Sequence, residues 1–360
     1  MRTKIPSLYG LRAVSILLVI LAHVRHNNFG GFKVSFPVEI LFDGALGVNV
    51  FFVISGFLIT KLLLDEESSN GSVSIKNFIT RRVFRIFPAY YFLLFIYFLL
   101  QLLHVLYFTP GSWASSLFYY KYIGESDWES GHFWSLSVEE HFYLIWPLVF
   151  AFAPRLRPVF AWFLVVMVMV FRINAYYHWL DYKVFVMQES FFLRCDALMI
   201  GCLGALYYQN LTDWIKKHYR ISTVGMLAAG LMIALSNSSI LMDLNRAANL
   251  HLGVLLIPLG IGSSTGVLTN FSILLLIIAS INLQGNLWFR ILNSSPLEFI
   301  GKLSYSIYLW QQIFFSKKLG FLSSFPLNIL CIAVVSYFSY RYVETYFLKL
   351  RDSKKSMGFS

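Results

Sequence analysis

Gly44-Ala-Leu-Gly-Val-Asn-Val-Phe-Phe-Val-Ile-Ser-Gly-Phe-Leu-Ile-Thr-Lys-Leu-Leu-Leu64 decides the fold class. Only Lys61 interrupts it with a charge, and ~20 predominantly apolar residues are what an α-helix needs to cross the hydrocarbon core of a bilayer. Comparable runs lie near 8–26, 86–108, 134–153, 158–178, 188–209, 221–240, 303–320 and 325–346. Composition agrees: of 360 residues 58% are hydrophobic and 13% charged, whereas a soluble domain carries about 25% charge. That much apolar chain fills about ten spans of ~20 residues. Nucleic-acid binding, a secreted disulfide scaffold and intrinsic disorder are excluded. The sequence predicts an all-α polytopic membrane protein, with about ten transmembrane helices in one bundle over residues 1–346. A short basic cytoplasmic tail, 347–360, follows.

The net charge of +11 bears on orientation, because Lys and Arg concentrate on the cytoplasmic side. The stretch 250–283 crosses once or twice, broken as it is by Gly253, Pro258, Gly260, Gly262 and Gly266. A single crossing gives ten spans with both termini cytoplasmic and about 20 of the 29 basic residues inside. A double crossing splits them almost evenly, so the charge bias favours ten. The basic start Met1-Arg-Thr-Lys4 and the apolar run to Val24 resemble a signal peptide. Arg12 interrupts that run and no small-residue cleavage site follows, so it reads as a retained span. Cys195, Cys202 and Cys331 have neither metal-site nor disulfide-framework spacing, and no metal is expected.

Ionisable groups inside spans are functional candidates by default. Arg12 and His23 lie eleven residues apart, close to three turns and ~16–17 Å at 1.5 Å per residue, so they share a helix face. A snorkelling arginine accounts for Arg12; a neutral imidazole in a span is also a ready general base. Arg81, Arg82 and Arg85 precede the third span, with Arg82 and Arg85 on one face. They read as a positive-inside anchor or as guanidinium forks for a phosphate-bearing cytosolic ligand. In His132-Phe-Trp-Ser-Leu-Ser-Val-Glu-Glu-His-Phe-Tyr143 an aromatic belt explains Trp134, Phe142 and Tyr143 but not Glu139 and Glu140. Arg194 and Asp196 are expected to pair with each other or with those glutamates. Ser135 and Tyr305, with Trp134 and Tyr143, are candidates for lining an acceptor site.

Six pieces in order resemble the acyltransferase family 3 of integral-membrane O-acyltransferases. They are Leu11-Arg12-Ala13 with His23; Gly47-Val-Asn-Val-Phe-Phe-Val-Ile-Ser-Gly-Phe57; Arg82-Val-Phe-Arg85-Ile-Phe-Pro88; Phe133-Trp-Ser-Leu-Ser-Val-Glu-Glu140-His-Phe-Tyr143; Arg194-Cys-Asp196-Ala-Leu-Met-Ile-Gly201; and Gly301-Lys-Leu-Ser-Tyr-Ser-Ile-Tyr-Leu309. The resemblance implies acyl transfer, acetyl first, from cytosolic acyl-CoA (acetyl-CoA) as donor substrate, with no permanently bound cofactor. The implied acceptor is a hydroxyl of a cell-surface carbohydrate or its glycolipid precursor, modified at the cytoplasmic membrane among membrane lipids. Arg12, Arg82 and Arg85, with Arg81, would hold coenzyme A. His23 would serve as general base or acyl relay, Glu140 with Glu139 beside it would stabilise the imidazolium, and Arg194 would stabilise the oxyanion, with Asp196 a further catalytic candidate. Asn49, Gln311 and His141 stand where the family commonly has aspartate, histidine and glutamine, which leaves the acceptor class open. The esterase-like extracytoplasmic domain of some members is expected to be absent; a separate extracytoplasmic partner that completes the reaction and a homo-oligomer are both left open. The alternative is a proton-coupled transporter or flippase with His23 and Glu140 as relay. It predicts inverted-repeat symmetry, which the sequence lacks.

Overall fold

The computed structural model describes residues 5–28, 38–177, 190–236 and 266–356, and every regular element among them is helical. They divide into two compact units, one within Met1–Gly71 and Ala153–Lys302, the other within Ser72–Phe152 and Leu303–Ser360.

The first unit is built on α1 (Leu8–Asn28), α2 (Gly44–Asn70), α6 (Arg157–Tyr177) and α7 (Phe191–Leu206). Its remaining helices are α8 (Tyr208–Lys217), α9 (Tyr219–Ser236), α10 (Val267–Asn282) and α11 (Leu287–Leu292). Asp43 starts α2 by accepting the Leu46 amide at 2.8 Å, and Gly71, at φ 73, ends it with its own amide on the Glu67 carbonyl. In between, α2 crosses α7 at backbone contact. A Cβ on Gly56 would lie 1.9 Å from the Leu198 carbonyl oxygen, and one on Gly201 would lie 2.2 Å from that of Val53. In a lipid solvent no hydrophobic force drives helices together, so small residues that let backbones approach are what bind them. Phe52, Val53, Phe57, Ile59 and Leu63 of α2 and the run from Ala197 to Leu203 of α7 are buried around this crossing.

The second unit contains α3 (Ile75–Leu102), α4 (Pro110–Leu117) and α5 (Phe133–Phe152). It continues with most of α12 (Ser295–Phe315), α13 (Leu327–Phe338), a π-helical segment Ser339–Glu344 and α14 (Thr345–Ser356), which packs on α3. The sequence places 65–85 in an inner loop. Instead α2 runs on to Asn70, and Ser74 caps α3 by accepting the Asn77 amide at 3.2 Å, so Arg81, Arg82 and Arg85 sit on a helix. The stretch 109–133, which the ten-span reading places in an outer loop, likewise holds α4 and a 3-10 turn, Trp128–Ser130. The last expected span runs as continuous helix from Leu327 through the π-helical segment and on to Ser353, and it is bent by 96° from the 3-10 turn Lys317–Ser323 before it.

By length and hydropathy, four described helices suffice to cross a membrane. The count rises to six if two bent pairs, at 70° and 96°, each make one span. α5 and α12 are of comparable length and carry Glu139 with Glu140 and Glu298 with Lys302. The path of 250–265 lies outside the described residues.

Gly56→Ala and Gly201→Ala should each destabilise the protein by at least ~1–3 kcal/mol, the usual range for overpacking, since carbonyl groups of the backbone must give way. Gly225→Ala, on an open stretch of α9 with no neighbour within 4 Å, should be neutral or stabilising by up to ~1 kcal/mol. Melting curves in detergent check both; equal melting of all three variants would refute the close crossing.

Candidate active site

In the second unit α3 brings Arg82 over two rings. Its guanidinium carbon is 5.6 Å from the Phe78 ring centroid, one turn earlier, and 5.8 Å from that of Tyr143 on α5. Both distances are within cation–π range. Glu140 lies one turn before Tyr143, and its charge reaches Arg82, as do those of Arg81 and Arg85. Three guanidinium groups within a turn and a half, with the Arg82 Nε buried and making no hydrogen bond, make a site suited to a multiply charged anion.

The end of this helical turn is held by α12. Tyr305 donates its hydroxyl hydrogen to the Ile86 carbonyl at 2.8 Å, next to Pro88, whose missing N–H interrupts the α3 ladder. Ser306, beside it, hydrogen-bonds Glu344, which the π-helical segment delivers. Ser135 and Tyr308 stand 2.5 Å apart, each within hydrogen-bonding distance of the His132 carbonyl. His132 Nε2 in turn donates to the Leu309 carbonyl at 3.2 Å. Ser135 and Tyr305, expected as acceptor-lining residues, are thus engaged in fastening α3 and α5 to α12. Trp134 and Tyr143 share α5 with Glu139 and Glu140.

In the first unit His23 Nδ1 bonds the Val19 carbonyl at 2.8 Å. A carbonyl only accepts, so Nδ1 carries the hydrogen and Nε2 of the neutral ring carries the lone pair. That is the tautomer of a base. Arg12 lies with its guanidinium carbon 5.7 Å from the Phe51 ring centroid.

Asp196 does not pair with Arg194. Arg172 of α6 takes it instead, with Nη2 2.9 Å from Oδ1 and Nη1 2.9 Å from Oδ2. Asn270 donates to Oδ2 at 3.0 Å and accepts from the Asn49 amide at 3.1 Å. Arg172, on another helix, reaches the carboxylate with both arms of its fork, which the sequence neighbour Arg194 does not do here. This network also accounts for Asn49: an aspartate there could not donate to the Asn270 oxygen. Arg172→Met should leave a buried carboxylate unpaired and cost about 3–5 kcal/mol, most of which the double variant Arg172→Met/Asp196→Asn should restore. Thermal unfolding of the two variants is the check.

Two residues escape sequence reasoning. Phe118-Tyr-Tyr-Lys-Tyr122 has the composition of an interfacial belt, yet Tyr119 is buried against Tyr90 and Lys121 is 3% exposed. Lys121 Nζ donates to the Ser112 hydroxyl at 2.6 Å, the Ser112 carbonyl at 3.1 Å and the Ser116 hydroxyl at 3.1 Å. Burial pushes its ammonium down to about 8, with Asp127 and Glu125 opposing the shift. Between pH 8 and the unfolded value near ~10.4 the unfolded chain binds more protons, so this group makes stability rise with pH across that window. Lys121→Met should flatten the rise, read as melting temperature from pH 7.5 to 10.

Among the described residues no group of three or more His, Cys, Asp or Glu could hold a metal ion. A family described as an acyltransferase domain, acyltransferase 3, matches residues 5–339. The chain belongs to this family. It is 27% identical over 372 aligned positions to the O-acetyltransferase OatA of Staphylococcus aureus strain NCTC 8325, covering 95% of this chain and 57% of that protein. A putative O-acetyltransferase of S. aureus strain COL is 28% identical over 385 positions, covering 96% and 57%. The chain therefore spans under two thirds of the length of the curated relatives it matches. No solved structure matches it.

Proposed function

We propose that the protein is a membrane O-acetyltransferase that takes acetyl from cytosolic acetyl-coenzyme A. The acceptor is a hydroxyl of a cell-surface carbohydrate or its lipid-linked precursor at the cytoplasmic membrane. Family membership over residues 5–339 and the printed names of the relatives support the reaction class. The observation that carries the donor is Arg82, held over Phe78 and Tyr143 with Arg81 and Arg85 beside it, because coenzyme A presents phosphates to such forks.

Ten crossings with both termini inside, the arrangement the basic residues favour, put these arginines and Arg12 at the cytoplasmic end. They put His23 toward the outer half, while Glu140 stays near Arg82. The acceptor oxygen attacks the thioester carbon; a C–O bond forms and the C–S bond breaks. His23 Nε2 takes the hydroxyl proton and returns it to the departing thiolate, leaving an acetyl ester and coenzyme A thiol. Arg194 is the proposed source of oxyanion stabilisation. Asp196 acts through Arg172 as a structural partner.

In detergent with radiolabelled acetyl-coenzyme A, His23→Ala should lose about 10²–10⁴-fold in turnover while still binding coenzyme A. Arg82→Ala/Arg85→Ala should weaken binding at least ~100-fold, since two charge-assisted contacts are removed. If the wild-type protein binds no acetyl- or longer acyl-coenzyme A, the reading is wrong.

A further inference from the structure

Tyr119 occupies a position that ordinarily favours glycine. α4 ends in a Schellman turn, the Tyr120 amide donating to the Ser115 carbonyl at 3.0 Å and the Tyr119 amide to the Ser116 carbonyl at 3.5 Å. Tyr119, between them, has φ 55. Helices that end this way usually place glycine there, because a Cβ is strained in left-handed backbone. A bulky residue held in that region is a reason to ask what its side chain does.

The ring has an explanation. It stacks on Tyr90 with centroids 4.5 Å apart and planes at 26°, and on Phe87 at 5.6 Å and 21°. A phenylalanine would stack as well, so the hydroxyl is what remains unexplained. It is buried and makes no hydrogen bond, whereas the phenols around it do. Tyr90 donates to the Ser116 carbonyl, Tyr91 to that of Leu117 and Tyr305 to that of Ile86. A buried hydroxyl left without a partner is costly and uncommon. Burial, with Tyr305 and Glu140 acting on it electrostatically, holds the phenol well above its usual pKa, so it keeps its proton and is a donor rather than a base. The Arg82 Nε is a second buried donor without an acceptor, and it too lies within reach of the Glu140 charge. Two donors around one carboxylate lack an oxygen to bond. Along α3, Tyr90 lies five residues beyond Arg85, ~7–8 Å at 1.5 Å per residue. A pantetheine arm whose phosphates sit on the arginines carries amide and thioester carbonyls past that level.

We propose that Tyr119 donates a hydrogen bond to a carbonyl oxygen on the arm of the bound acyl-coenzyme A. This rests on the acyltransferase reading above. The test uses the full chain in detergent and compares wild type, Tyr119→Phe and, as a control for a satisfied neighbouring phenol, Tyr91→Phe. Tyr119→Phe should melt at or above the wild-type temperature, because it removes only an unsatisfied hydroxyl. Its kcat/KM for acetyl-coenzyme A should fall about 10- to 100-fold, between the loss of an ordinary hydrogen bond and of an oxyanion donor. Tyr91→Phe should keep wild-type kinetics. A raised KM with weaker coenzyme A binding assigns the bond to an amide of the arm, and a lowered kcat with binding intact assigns it to the thioester. Either supports the proposal. It is overturned if an active wild type and Tyr119→Phe agree within twofold. It is also overturned if Tyr119→Phe melts lower, which would mean the hydroxyl has a protein partner. A wild-type protein that turns over no acyl-coenzyme A removes the acyltransferase reading itself, and this proposal with it.

Discussion

The first unit depends on two peptide backbones touching where α2 crosses α7. Gly56 and Gly201 are reciprocal: each lies against the main chain of the other helix. A membrane interior rewards shape more than hydrophobicity, since lipid tails are as apolar as leucine. Gly47 repeats the device one helix over, where a Cβ would meet the Ser15 carbonyl of α1 at 2.6 Å. His23 and Arg12 are therefore carried on a helix whose distance from α2 is fixed by main-chain atoms. Side chains that hop between rotamers would set it less sharply.

The same scarcity of water governs the polar groups. Asn49, Asn270, Asp196 and Arg172 form one connected chain of donors and acceptors drawn from α2, α10, α7 and α6. A partly satisfied set would be worse than an apolar one. In the second unit Lys121 is treated alike, its ammonium surrounded by three oxygens of α4. Of the buried polar atoms that make no hydrogen bond, the Arg82 Nε and the Tyr119 hydroxyl belong to the cluster around Glu140.

Apolar runs make the helical class legible in the sequence, and the cores of most spans fall where hydropathy places them. The ends do not, because caps set them: Ser74 and Gly71 act locally and leave only a short gap between α2 and α3 where charge suggested a loop. The arginine and glutamate motifs could be read because charge is rare in such a chain. Tyr119 could not, since its distinction is a backbone angle and a missing partner. The Asp196 pairing was misread for a different reason. Arg194 is near in sequence, whereas Arg172 is brought near by packing of α6 on α7, and spacing along one helix is silent about its neighbour.

His23 donates the hydrogen bond that fixes its tautomer to the carbonyl of Val19, one turn earlier on its own helix. The tautomer of that ring is therefore settled by five residues of contiguous chain. Surrounding helices and loops can then change without resetting which nitrogen holds the proton. In such a layout the protonation pattern of a side chain is inherited with one turn of helix, separately from the residues packed around it.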